Sequence, residues 1–141
     1  MSKRPSAFAI KVAVSDFDAK TLVFSKQKTM YGGKLIAAGD ELFIFDSENE
    51  GGQGLIARAI VTGMRAIPKN PKLDRQTPCV SIEVNCGAKA KKPLGRREFE
   101  GFSTWNDGRP ETELNFKFYR QATNKVVGIT ADCAAFLGRY F

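Results

Sequence analysis

Gly39-Asp40-Glu41-Leu42-Phe43-Ile44-Phe45-Asp46, followed after a polar connection by Gly54-Leu55-Ile56-Ala57-Arg58-Ala59-Ile60-Val61, decides how this chain is read. The first run is apolar on both faces of a strand, which is expected of a central strand or of one curved into a barrel. In the second run Leu55, Ala57, Ala59 and Val61 share one face and Arg58 lies on the other. The connection Ser47-Glu48-Asn49-Glu50-Gly51-Gly52-Gln53 is short and glycine-rich, so the two strands are expected to pair as a hairpin.

Working outward, Phe8, Ile10, Val12 and Val14 alternate with Ala7, Ala9, Lys11 and Ala13, a period-two strand. Ser15-Asp16 offers a helix N-cap, and Phe17, Thr21 and Phe24 fall at helical spacing, which predicts a short helix over Asp16–Ser25. Val80, Ile82 and Val84 alternate with Ser81, Glu83 and Asn85, a strand with one wet face. Arg97–Phe102 reads as a helical turn with Phe99 and Phe102 inward. Leu114, Phe116 and Phe118 alternate with polar residues and predict a strand paired with the short run Val126–Ile129. Thr130 caps a last helix with Cys133, Phe136 and Leu137 on one face and Gly138 at its end. The sum is α+β, mainly β: five to six mostly antiparallel strands with two to three short peripheral helices. A small closed barrel fits this content, and an open α+β sheet is the alternative.

The 141 residues fit one domain, and 43% hydrophobic residues suffice for a core without disulfides. Residues 1–6 are expected to form a loose tail. Phe8–Val14 is too short, and Lys11 too polar, for a signal or membrane segment, so a cytoplasmic protein is expected. Cys79, Cys86 and Cys133 lack zinc-ligand spacing, and with no histidine in the chain no metal site is expected. The same absence excludes imidazole-based nucleophile activation and general-base catalysis. No catalytic residue and no cofactor are assigned.

The net charge of +7 is polarised. Five acidic residues and no basic one lie between Asp40 and Glu50. Lys89, Lys91, Lys92, Arg96 and Arg97 crowd a stretch without an acid. A segregated basic loop is the footprint of a phosphate-binding surface, with a solvated loop as the plainer alternative.

The opening hairpin, with its Gly-Asp start and the Gly54–Val61 strand, resembles the central hairpin of the PUA-like superfamily in its EVE and ASCH branches. Asn115–Gln121, Val126–Thr130 and Phe136-Leu137 resemble the closing elements of EVE domains, and Lys28-Thr29 resembles the pair that opens the ASCH signature. The chain is thus identified as a single-domain, bacterial member of that superfamily. The resemblance implies a pseudo-barrel binding RNA, or a modified base in DNA, in a cleft beside the barrel. It also admits hydrolysis of a modified nucleoside, which an ASCH subgroup performs. Tyr31 and Gly33 depart from the ASCH pattern after Lys28-Thr29, so the hydrolytic subgroup's threonine nucleophile is not matched.

The candidate binding residues follow from both readings. Trp105, in the polar turn Trp105–Pro110, is suited to stack on a base or to cap the barrel core. Tyr31, Tyr119 and Arg120 stack on a base or contact phosphate, or serve as scaffold. Ser47 and Asn49 suit a base edge, although Glu48 and Glu50 beside them repel phosphate. Lys28 and Thr29 could place a phosphate, and Lys89, Lys91, Lys92, Arg96 and Arg97 hold the strand. The expected function is therefore a nucleic-acid-binding module. The alternatives are a small hydrolase using Thr29 or Cys86 with Lys28 and an acid such as Glu83, and a scaffold docking its two charged segments on protein partners.

Overall fold

The computed structural model describes residues 5–14, 19–47, 54–68, 70–72, 77–92, 94–121 and 125–141, the side chains of 119–121 excepted. The elements in chain order are β1 (Ala7–Val12), β2 (Thr21–Met30), a single 3-10 turn (Gly33–Leu35), β3 (Glu41–Asp46), β4 (Gly54–Ala66) and β5 (Cys79–Lys89). They continue with α1 (Arg96–Phe99), α2 (Pro110–Leu114), a wide π-helical stretch (Asn115–Gln121), β6 (Lys125–Ile129) and α3 (Ala131–Gly138). No helix among the described residues is long and apolar enough to cross a membrane.

The six strands close into a mixed barrel in the order β1-β3-β4-β5-β2-β6. Four pairings are antiparallel. The other two, β1 with β3 and β2 with β6, are parallel. Closure removes unpaired sheet edges, which would otherwise invite association. The α+β, mainly β architecture is as the sequence predicts.

The hairpin explains the two-layer core. Strand β3 is buried on both faces: Leu42 and Ile44 join Phe8, Ile10, Phe24, Val61, Val84 and Val126 inside the barrel. Phe43 and Phe45 point outward beneath Phe99, Leu114, Phe118, Cys133 and Leu137 of the helical layer. Leu55, Ala57, Ala59 and Val61 are all buried as expected, but Leu55 belongs to the outer cluster. A register shift between Ile44 and Phe45 lets β4 change faces there. Both faces of β1 are covered too, so Lys11 is wholly buried.

Three expectations are overturned. The helix over Asp16–Ser25 is not formed: residues 15–18 lie outside the described residues, and Thr21–Met30 is a strand. A bulge between Phe24 and Gln27, with Lys26 at φ 52°, breaks the alternation and hides the period of two. The strand expected at Leu114–Tyr119 is helical instead. Pro110 starts α2 with Glu111 and Glu113 in its first turn, and Leu114 and Phe118, four apart, are both fully buried. β6 therefore pairs with β1 and β2 rather than with that segment.

The last helix forms as read, Thr130 Oγ1 accepting a hydrogen bond from the Cys133 amide at 3.2 Å. At the start of the described chain, the Pro5 ring rests against Gly32 and Gly128.

Candidate nucleic-acid interface

The parallel strands β2 and β6 end side by side, Met30 opposite Val127. Tyr31 leaves β2 in the left-handed region (φ 53°), followed by Gly32 at φ 82°. That turn carries the Tyr31 carbonyl across β6, where only a glycine at 128 leaves room: a Cβ there would overlap the Tyr31 oxygen and the Pro5 ring. The Tyr31 ring faces Phe116 at 6.4 Å, and Trp105 meets the same Phe116 edge-on at 5.5 Å. Three aromatic rings thus form one wall.

The turn presenting Trp105 is held from behind. Asp107 accepts from the Arg109 amide at 2.9 Å and from the Thr112 hydroxyl at 2.9 Å. Asn115 Nδ2 donates to the Phe102 carbonyl at 2.9 Å, and the Arg109 guanidinium lies 5.0 Å over the Phe102 ring. Trp105 itself remains 40% exposed. It lines an open cleft and does not plug the core.

Beside the rings stands a polar network. Glu113 receives Lys117 Nζ at 3.0 Å, the Thr130 amide at 3.0 Å and the Thr130 hydroxyl at 2.6 Å. Lys117 also donates to the Gly128 carbonyl at 2.7 Å and sits 5.0 Å over the Tyr31 ring. Burial pushes the Tyr31 phenol up from its ordinary value, so it stays protonated and able to donate. The cleft lined by the rings and this network has a volume of about 410 Å³ and is also bordered by Arg109 and Asp132. A second cavity of about 320 Å³ adjoins it, sharing Tyr31, Lys117 and Thr130 and reaching Pro5 and Ser6. Both volumes suit a small ligand such as a nucleobase.

Of the residues singled out in the sequence, Tyr31 and Trp105 come together in this cleft. Lys28 is exposed on the outer face of β2, three residues before Tyr31. Thr29, next to it, faces inward; it is 5% exposed and its hydroxyl donates to the Pro78 carbonyl at 2.7 Å. Burial also raises the Cys86 thiol, against the opposing pull of Lys89. Thr29 is thus nearly enclosed with its hydroxyl engaged, whereas Cys86 is half-buried.

Ser47 is fully buried, its hydroxyl without a partner among the described residues. Asn49 lies outside the described residues, as do the side chains of Tyr119 and Arg120. Lys89, Lys91, Lys92, Arg96 and Arg97 are exposed but do not line the cleft. The Lys91 amide donates to the Tyr140 carbonyl at 2.6 Å and Lys92 lies over the Tyr140 ring at 5.6 Å. That places the loop by the C-terminal end of α3, about 12 Å along the helix from Thr130 at its start.

Sequence reasoning missed Glu113, Phe116 and Lys117. The signal was present: Pro110 followed by an i, i+4 Glu113–Lys117 pair is a helix pattern, and it places both charges on one side.

No protein-family model matches the chain, and no curated protein sequence matches it. Solved structures do. The human THYN1 protein in complex with 5-methylcytosine containing DNA superposes with a TM-score of 0.64 at 14% identity, covering 93% of this chain and 94% of that one. The DUF55 domain of human thymocyte nuclear protein 1 gives 0.62 at 16% identity, over 93% and 95%. A hypothetical protein from Leishmania major gives 0.65 at 15% identity, over 96% and 93%. The chain shares the fold of these proteins.

Proposed function

We propose that this chain is a nucleic-acid-binding module that holds one base, extruded from its strand, against the Trp105–Phe116–Tyr31 wall. The observation that carries the reading is the placement of the sole tryptophan, half open over a cleft also lined by a fixed array of charges. Stacking on an aromatic ring contributes about 1–3 kcal/mol per base. Lys117 uses two donors on Glu113 and Gly128, and an ammonium has three, so one is left for a base or phosphate oxygen. Asp132, exposed at the rim, suits the exocyclic amine of a cytosine.

The likeness to the THYN1 complex supports the EVE branch over the ASCH branch, and makes 5-methylcytosine in DNA the first ligand to try, ahead of RNA. A cytoplasmic location and single-domain organisation belong to the same reading. The test is a panel of labelled single strands, RNA and DNA, with and without 5-methylcytosine, titrated against wild type and Trp105→Ala. Tighter binding of the methylated DNA, lost in the variant, is expected. Equal binding of every strand by both proteins would overturn the proposal.

A further inference from the structure

Lys28 of β2 and Lys125 of β6 are direct partners across the parallel seam. Their neighbours Thr29 and Val126 face into the barrel and are buried, so both lysines stand on its outer surface. One row further, Lys26 donates its amide to the Ser81 hydroxyl at 3.0 Å, and Ser81 is the cross-strand partner of Arg65. Lys26, Lys28 and Arg65 are exposed and Lys125 is half-buried. The remaining partner in these rows, Cys79 opposite Lys28, is uncharged.

None of the four cations is ion-paired with a described residue; the ion pairs join Arg58 to Glu41, Arg109 to Glu111 and Lys117 to Glu113. Among the described residues Glu83 lies on this side of β5, two residues beyond Ser81, and takes the Thr62 hydroxyl. Like charges on paired strands repel, and an anion between them reverses that. The position of the wall says which anion. Lys28 precedes Tyr31 by three residues and Lys125 precedes Gly128 by three, so the seam begins about 10 Å along the strands from the cleft.

We infer that this wall is a phosphate-binding surface, seating the backbone of the strand whose base occupies the cleft. The inference rests on the base-holding reading and adds the path by which the strand arrives. The module therefore binds a stretch of single strand along the β2–β6 seam rather than an isolated nucleoside.

The test compares wild type with Lys28→Gln/Lys125→Gln on two probes: free 5-methyl-2′-deoxycytidine, and a single strand of about ten nucleotides carrying one 5-methylcytosine. Trp105 fluorescence reports the cleft and anisotropy of a labelled strand reports overall binding. Nucleoside quenching should be unchanged in the variant, while the strand binds more weakly with a salt slope shallower by about 1.4, two contacts at about 0.7 each. Because Lys125 is half-buried, Lys28→Gln and Arg65→Gln are tested singly as well, each with an expected loss of about 0.7. Unchanged strand affinity and slope in all three variants would overturn the inference and leave the cleft reading standing. Loss of strand affinity with no quenching of Trp105 by either probe would overturn the cleft reading and leave the wall as a phosphate surface alone. Failure of wild type to bind the strand would overturn both.

Discussion

Trp105 owes its exposure to the Asp107 turn behind it and its orientation to Phe116, so it can be removed without emptying the core. Trp105→Ala should change the unfolding free energy by no more than about 1 kcal/mol, while base binding weakens by about 1–3 kcal/mol. Urea titration and strand anisotropy measure the two separately. Glu113 is the opposite case. Its carboxylate is the common acceptor of Lys117 and Thr130, and the Glu113 and Lys117 side chains are only 17% and 15% exposed. Glu113→Ala leaves an ammonium and two other donors short of a partner and should cost about 2–3 kcal/mol in urea unfolding. Glu113→Gln, which keeps an acceptor oxygen, should cost less.

At the scale of elements, the wide helical stretch Asn115–Gln121 is what separates the rings from the core. Phe118 is fully buried beneath it, its ring 5.1 Å from that of Phe45, while Phe116 two residues earlier lines the cleft. Phe118→Ala should lower stability by about 3–5 kcal/mol with an unchanged denaturant slope. Gly128→Ala should displace the Tyr31 turn and weaken base binding more than stability alone accounts for, which thermal unfolding beside strand titration would separate. β1, β5 and α3 were legible in the sequence because each has one unbroken period, and the hairpin because its two apolar runs flank a polar, glycine-rich connection. β2 was not, because the bulge at Lys26 resets its phase within ten residues. The Leu114–Phe118 stretch was not, because apolar residues at 114, 116 and 118 satisfy a strand and a helix alike, and only Pro110 and the Glu113–Lys117 pair decide between them. For the site, the ring types were legible. Their meeting was not, since Tyr31, Trp105 and Phe116 come from three separate segments of the chain.

For the molecule as a whole, the pH dependence follows from what is missing and what is buried. With no histidine, nothing of the imidazole class titrates between about pH 5 and 8. Burial pushes the Cys133 thiol well above its ordinary 9.0, helped by the nearby Glu113 charge. Burial likewise raises Tyr31 and Tyr140 above 10.0. Above those ordinary values the unfolded chain releases protons that the folded chain keeps, so the folded state loses ground as pH rises. Stability should hold level from about pH 6 to 8 and fall from about pH 9 upward; thermal unfolding across that range checks it, and Tyr31→Phe should soften the decline.

The same composition supplies a direct probe of the cleft. The chain has a single tryptophan, hence a single indole N–H resonance, and it belongs to the ring proposed to meet the base. That resonance should be followed in a ¹⁵N-labelled sample as a single strand bearing 5-methylcytosine is added. The account predicts a saturable shift of the indole signal, at the same affinity as the strand's anisotropy. An indole signal that stays in place while the amides of Lys89–Arg97 move would contradict it, because the strand would then be bound by charge alone, away from the cleft.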